Sequence, residues 1–244
     1  MMYDNFCGIY DRLIGEDINY HQICDFIQNI FDIYGISPEL VADLACGTGS
    51  VTCQMQERGY DMIGIDRSVG MLDIARKKNP DILYLNQDMR TLDLYGTVGA
   101  ALCMTDGFNY IISDRELFGI FKRLFTCFLD HGGVLIFDIS SQYKLEHTLG
   151  NNTFVYDSGG IFYVWENRYF PKKQLCDINI NFFTRNKKGY SRVCERQLQR
   201  ARSIDRVTAL LLNAGFTNIN CYSSCNFAPP ETKSQRLWFT AQKP

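Results

Sequence analysis

The residues best suited to chemistry lie between positions 43 and 66. Asp43-Leu44-Ala45-Cys46-Gly47-Thr48-Gly49 carries an apolar run into two glycines and then into a segment of helical character. Glycine lacks the Cβ that would hold a ligand off the backbone and tolerates positive φ, so such a turn can pass beneath a cofactor. The ligand then lies at the carboxyl edge of a sheet, near a helix N-terminus whose open N–H groups favour anionic atoms. Asp66, 17 residues beyond Gly49, closes the next apolar run. An acid there can accept from both hydroxyls of a ribose. A nicotinamide dinucleotide fits that pairing, but its fingerprint asks for a third small residue where this chain has Thr52. Its pyrophosphate seat is poorly built, so an oxidoreductase is the disfavoured alternative.

The elements that must position these residues alternate. Residues 19–34 place Ile23, Ile27, Ile30, Phe31 and Tyr34 at helical spacing before Gly35. Short apolar runs at 41–45, 61–66, 82–86, 98–104 and 133–139 read as buried strands. Helical segments separate them at 49–58, 68–78 with Ser68 as N-cap, and 114–129. Alternation at this spacing implies βαβ crossovers and a parallel sheet covered on both faces. Beyond residue 140 the pattern changes: FVYDS, IFYVWENRYF, LCDINI-NFF and YSRVCERQLQ are separated by glycine, proline and asparagine turns, which describes an antiparallel meander. A helix at 203–216 and strands at 216–222 and 236–242 follow.

The expected fold is therefore α/β: a doubly wound, Rossmann-like, seven-stranded sheet, mostly parallel with an antiparallel last strand. An antiparallel β-meander is inserted after the fifth strand. The expected division assigns 1–140 and 203–244 to the main domain and 150–202 to a β lid inserted in it.

Composition narrows the function classes. At 244 residues the chain suits one large domain with an insertion, and its net charge of −2 draws it neither to nucleic acid nor to an anionic membrane. Ten cysteines are present, but no Cys-x-x-Cys pair occurs and the only histidines are His21, His131 and His147, so no zinc or other metal site is expected. The start, MMYDNFCGIYDRL, has no basic n-region, and the uncharged stretch Leu94–Thr105 is too short and glycine-rich to span a bilayer. The expectation is a cytoplasmic protein with reduced thiols.

DLACGTGSVT, GIDRSVGMLDIARKK, NQDMRTLDL, CMTDGFNYI and LDHGGVLIFDIS resemble successive motifs of the class I S-adenosylmethionine-dependent methyltransferases. The chain is similar to the small bacterial subgroup with a β lid that includes amino-sugar N,N-dimethyltransferases. The likeness runs from about Tyr3 to the last strand. It implies S-adenosylmethionine as cofactor. It implies that Asp43, Ala45, Gly47 and Gly49 form the floor beneath the methionine moiety, with Ala45 standing where many family members have glycine. It places Asp66 on the ribose with Arg67 beside it, Asp88 on the adenine amino group and the Met89 N–H on a ring nitrogen. Met104 and Thr105 would lie beside the methionine part, and Tyr3 and Tyr10 would close over the cofactor. Plainer roles compete: Asp88 can cap a turn, Met89 can fill core, and Tyr3 and Tyr10 can pack an amphipathic helix.

On the acceptor side, Asp106, Tyr110 and His147 are the candidates for a base or an orienting group. Asp106 follows the fourth strand at the ligand-binding edge, where it could equally cap the GFNYI turn. Alternation in the lid puts Phe162, Val164 and Glu166 on one face and Tyr163, Trp165 and Asn167 on the other. One face packs; the other is available for an acceptor pocket or for self-association into a homodimer. Residues 185–202 hold seven basic side chains against Glu195 alone, either a solvated strand face or a landing site for a phosphorylated or nucleotide-linked acceptor. RNA would use the same stripe, but the acidic remainder argues against it. The expected function is methyl transfer to nitrogen or oxygen of a small molecule. The alternative outside catalysis is a cofactor-binding regulatory or scaffold module without turnover.

Overall fold

The computed structural model describes residues 18–158, 161–186 and 189–244. Tyr3 and Tyr10 lie outside them. The described chain opens with α1 (Tyr20–Tyr34), capped by the Asn19 side chain, which accepts the Gln22 N–H at 3.1 Å, and ended by Gly35 in the left-handed region. Then come β1 (Leu40–Leu44), α2 (Ser50–Glu57), β2 (Asp61–Asp66), α3 (Val69–Lys78), β3 (Leu83–Asn86) and β4 (Val98–Cys103). Next are α4 (Asp114–Arg123) and β5 (Leu129–Ser140). Four strands follow, with no α-helix between them among the described residues: β6 (Thr153–Ser158), β7 (Ile161–Phe170), β8 (Leu175–Asn186) and β9 (Gly189–Arg200). The chain closes with α5 (Ile204–Ala214), β10 (Thr217–Tyr222) and β11 (Arg236–Gln242).

The main sheet has seven strands in the order β10-β11-β5-β4-β1-β2-β3. Its pairings are parallel except those of β11, which runs antiparallel to both β5 and β10. Alternate residues of one strand feed opposite faces. Ala100, Leu102 and Met104 join Phe26, Ile27 and Ile30 of α1, Met55 of α2 and Leu72 of α3. Ala101 and Cys103 join Leu117 and Phe121 of α4 and Val207 and Leu211 of α5. Three helices thus cover one face and two the other, as the crossovers require. One expectation shifts: residues 124–128 do not continue α4 regularly but form a π-helical turn into β5.

The second sheet, β6-β7-β8-β9, is antiparallel throughout. Its inward face carries the expected Tyr163, Trp165 and Asn167, joined by Ile178, Ile180 and Phe182 of β8 and Glu195, Gln197 and Gln199 of β9. Two buried side chains fasten it to the main sheet. Asn109 donates to the carbonyls of Ser140 (3.1 Å) and Arg200 (3.0 Å) and accepts the Ser140 N–H at 2.9 Å. Arg202 reaches Asp114 at 2.8 Å and the carbonyls of Phe108 (3.4 Å) and Ile111 (2.5 Å).

Candidate cofactor-binding site

The strand order reverses between β1 and β4: the chain runs to β2 and β3 on one side and to β5 on the other. Two neighbouring turns leaving in opposite directions open a crevice at the carboxyl edge, which is where open α/β sheets bind ligands. A cleft of about 840 Å³, its open mouth included, lies there. Ala45 and Gly47 come from the turn after β1, Asp66 and Arg67 from the end of β2, and Asp88 and Met89 from the loop after β3. Thr105, Gly107 and Tyr110 close it from β4. A smaller pocket adjoins, lined by Asp43, Ala45, Gly47, Met104 and Thr105, with Tyr20 of α1 over it.

The two glycines of the turn do different work. Gly49 (φ +73°) ends the turn, and a Cβ there would lie 2.9 Å from the Tyr84 hydroxyl and 3.0 Å from Ala75 Cβ. Gly47 (φ +56°) faces nothing within 4 Å. Its open side looks into the cleft, a cradle that any side chain would fill. Ala45 sits left-handed as well (φ +54°), a conformation its Cβ opposes.

Asp66 points at this turn. Its Oδ2 accepts the Gly47 N–H at 2.9 Å and its Oδ1 the Ser68 N–H at 2.8 Å. Burial pushes its carboxyl above the usual range, and those two N–H groups pull it back. Asp43 is 2% exposed; Thr52 donates to it at 2.6 Å, and burial still raises its carboxyl to about 7. Thr52, the residue that spoils a dinucleotide fingerprint, is thus the hydroxyl that satisfies a buried acid.

Asp88 caps the turn Met89–Thr91 by accepting the Arg90 N–H at 3.0 Å, and the Arg90 guanidinium grips both its oxygens. That grip holds its carboxyl below the usual range. The capping role is therefore real, and Asp88 also lines the cleft. Met89 does both things too, packing on the core while lining the cleft.

The acceptor-side candidates separate. Tyr110 lines the cleft and its hydroxyl donates to Gln197 of β9 at 2.9 Å. Asp106 does not cap the following turn with its side chain. It is instead paired with Arg236 at 2.9 Å; burial works against its ionisation, but Arg236 and Lys144 outweigh it and hold its carboxyl low. His147 lies exposed, tilted against Tyr143 with ring centres 5.1 Å apart, and is not among the residues lining either pocket. Of the basic stripe, Lys187 and Lys188 lie outside the described residues, and the arginines of β9 face away from the cleft. Gln197 points inward to Tyr110, so its neighbour Arg196 points outward, where it pairs with Asp177 at 2.7 Å. Arg192 binds Asn181 on that same outer face, and Arg202 is buried.

Sequence reasoning missed Asp138, Arg236, Asn109 and Gln197. For Asp138 a signal existed: it stands near the end of the apolar run of β5, as Asp66 ends that of β2. Among the described residues no cluster of histidine, cysteine and acids could hold a metal, and no helix is long and apolar enough to cross a membrane.

Comparison with known proteins gives the family. The profile of a family described as "Methyltransferase domain" matches residues 41–133. YqeM of Bacillus subtilis (strain 168), itself inferred to be a methyltransferase, is 31% identical over all of this chain and 98% of its own length. A crystal structure of an S-adenosylmethionine-dependent methyltransferase from Clostridium acetobutylicum superposes with a TM-score of 0.89 at 31% identity, covering 98% of each chain. The chain belongs to the S-adenosylmethionine-dependent methyltransferases. Its cofactor is S-adenosylmethionine, and the open cradle at Gly47 with the carboxylate of Asp66 at its rim fits an adenosyl thioether. The fold also matches that of CalS10, an amino pentose methyltransferase of Micromonospora echinaspora solved with S-adenosylmethionine bound (TM-score 0.78, 17% identity, 97% of each chain).

Proposed function

We propose that this methyltransferase alkylates a small-molecule acceptor at nitrogen or oxygen, with a neutral amine the better fit. The cofactor, when bound, supplies a methyl group made electrophilic by its sulfonium. The chain's own residues then have to bind, orient and exclude water, and proximity supplies most of the acceleration. In this reading Asp66 holds the ribose with Arg67 beside it. Asp88 and the Met89 N–H address adenine, while Asp43, Ala45, Gly47, Gly49, Met104 and Thr105 surround the methionine part. The second sheet, residues 150–202, acts as a lid over the acceptor, with Tyr110 and Gln197 as orienting groups.

The observation that supports an amine is the engagement of the nearby acid. Asp106 is committed to Arg236, and His147 stands off the cleft. A hydroxyl acceptor needs a base to take its proton, whereas an amine that arrives neutral does not. The amino pentose specificity of CalS10 is compatible with this reading. Release of S-adenosylhomocysteine measured over a panel of amines, amino sugars, alcohols and phenols tests it. Turnover is expected with amines and should rise with pH as they deprotonate; turnover confined to hydroxyl acceptors refutes it.

A further inference from the structure

The backbone leaving β4 enters the left-handed region twice in succession, at Thr105 (φ +59°) and Asp106 (φ +68°), although neither residue is glycine. A pair of strained residues persists only where its surroundings hold it. Here both N–H groups converge on one carboxylate. Asp138 Oδ1 accepts from Thr105 at 2.5 Å and Oδ2 from Asp106 at 3.2 Å. Asp138 lies two residues before the end of β5 with its side chain fully buried, and its charge is matched by Arg236 at the start of β11. The same guanidinium holds Asp106 at 2.9 Å. Two carboxylates and one arginine thus lock a turn that regular pairing does not reach.

The position of that turn gives the lock its meaning. Thr105 lines both the large cleft and the smaller pocket beside it, so it stands at their junction. Gly107 and Tyr110 follow directly and form one wall of the cleft. A change in φ at Thr105 or Asp106 would swing that wall.

We propose that Asp138, charge-matched by Arg236, is a positioning residue that keeps the Thr105-Asp106 turn in the shape cofactor binding requires. The proposal rests on the cofactor occupying the two adjoining pockets. A carboxylate that merely tied β5 to β4 would affect stability and leave affinity alone.

The test uses the full chain, with S-adenosylhomocysteine as probe in calorimetry and hydrogen exchange followed over residues 103–110. Asp138→Asn keeps one acceptor oxygen but turns an amide NH2 against the other donor. Its dissociation constant is expected to rise about tenfold, with faster exchange at Thr105 and Asp106. Glycine sits left-handed without a clamp, so adding Thr105→Gly to Asp138→Asn should recover affinity to within about threefold of the native chain. A folded Asp138→Asn protein that binds within about twofold of the native chain overturns the proposal, as does a loss that Thr105→Gly leaves unrepaired. Should Asp138→Asn fail to fold, Arg236→Lys keeps the charge but loses the fork, and an affinity drop of about threefold is expected; unchanged affinity there overturns it. A native chain that binds no S-adenosylhomocysteine would instead refute the cofactor site itself, which keeps the two failures apart.

Discussion

The carboxylate of Asp66 accepts the N–H of Gly47 across 2.9 Å, joining the end of β2 to the glycine turn that follows β1. The rim of the cleft is thereby built before any ligand arrives: the acid that would grip a ribose also sets the shape of the turn beneath it. An ionised carboxylate offers about four lone-pair sites, and Gly47 and Ser68 occupy one on each oxygen, leaving acceptor capacity on both for hydroxyls.

Removing this carboxylate should weaken the cofactor. Asp66→Ala is expected to cost about 1–3 kcal/mol of affinity for S-adenosylhomocysteine, the scale of lost charge-assisted bonds. Calorimetry on the folded variant checks it, and an unchanged dissociation constant would show that the ribose is held elsewhere.

Gly47 and Gly49 should respond differently to alanine. Both variants carry left-handed strain of about 1–2 kcal/mol. At Gly49 the new methyl also meets Tyr84 and Ala75, so the larger effect should be on urea unfolding. At Gly47 it enters open space in the cleft, so affinity should fall by more than stability does. The opposite ranking would place the ligand away from Gly47.

Ala45→Gly should stabilise the protein. Relief of the left-handed alanine is worth about 1–2 kcal/mol, against roughly 0.5–1 kcal/mol for the added freedom of glycine in the unfolded chain. A modest rise in melting temperature is expected; a fall would mean that the alanine methyl packs better than its backbone suffers.

The buried Asp43 should make stability fall with rising pH. Its folded carboxyl titrates near 7, well above the usual range, because burial disfavours its charge. Between about pH 4 and pH 7 the folded chain therefore holds a proton that the unfolded chain has released, and each step up in pH favours unfolding. Below that window the contribution is absent; above it the full penalty is present. Comparing denaturation of the native chain with that of Asp43→Asn across the window isolates the effect, and parallel curves would contradict it. Thr52→Val should raise the Asp43 value further, since that hydroxyl favours the ionised form.

Arg202→Ala should loosen the second sheet. It strands the carbonyls of Phe108 and Ile111 and leaves Asp114 with Arg206. Each buried carbonyl left without its partner costs about 1–3 kcal/mol. Chemical denaturation gives the total, and early exchange in β6 to β9 would show where the loss is felt.

Much of this was legible along the chain because it rests on local rules. Hydrophobic period and caps marked most strands and helices to within a residue or two, the end of α4 and the start of β5 being the exceptions: Ser68 caps α3 through the Met71 N–H, and Gly215 ends α5 left-handed. Asp66 could be named because a glycine turn and a strand-end acid stand at a fixed separation in a βαβ unit. The π turn at 124–128 was hidden because its residues keep helical spacing. Asp106 was legible as an acid at the right edge, but not as a partner of Arg236, which is 130 residues away.

By itself, then, the sequence determined which residues form the sheet, which turn has room for a ligand, and which acid faces it, since these follow from backbone sterics and short-range spacing. The tertiary structure alone decided how those parts are held. The strained Thr105-Asp106 turn, the outward aim of Arg192 and Arg196 and the joining of Tyr110 to Gln197 depend on β5, β9 and β11 meeting the segment after β4 from distant parts of the chain. Register and burial set those meetings, and no local pattern encodes them.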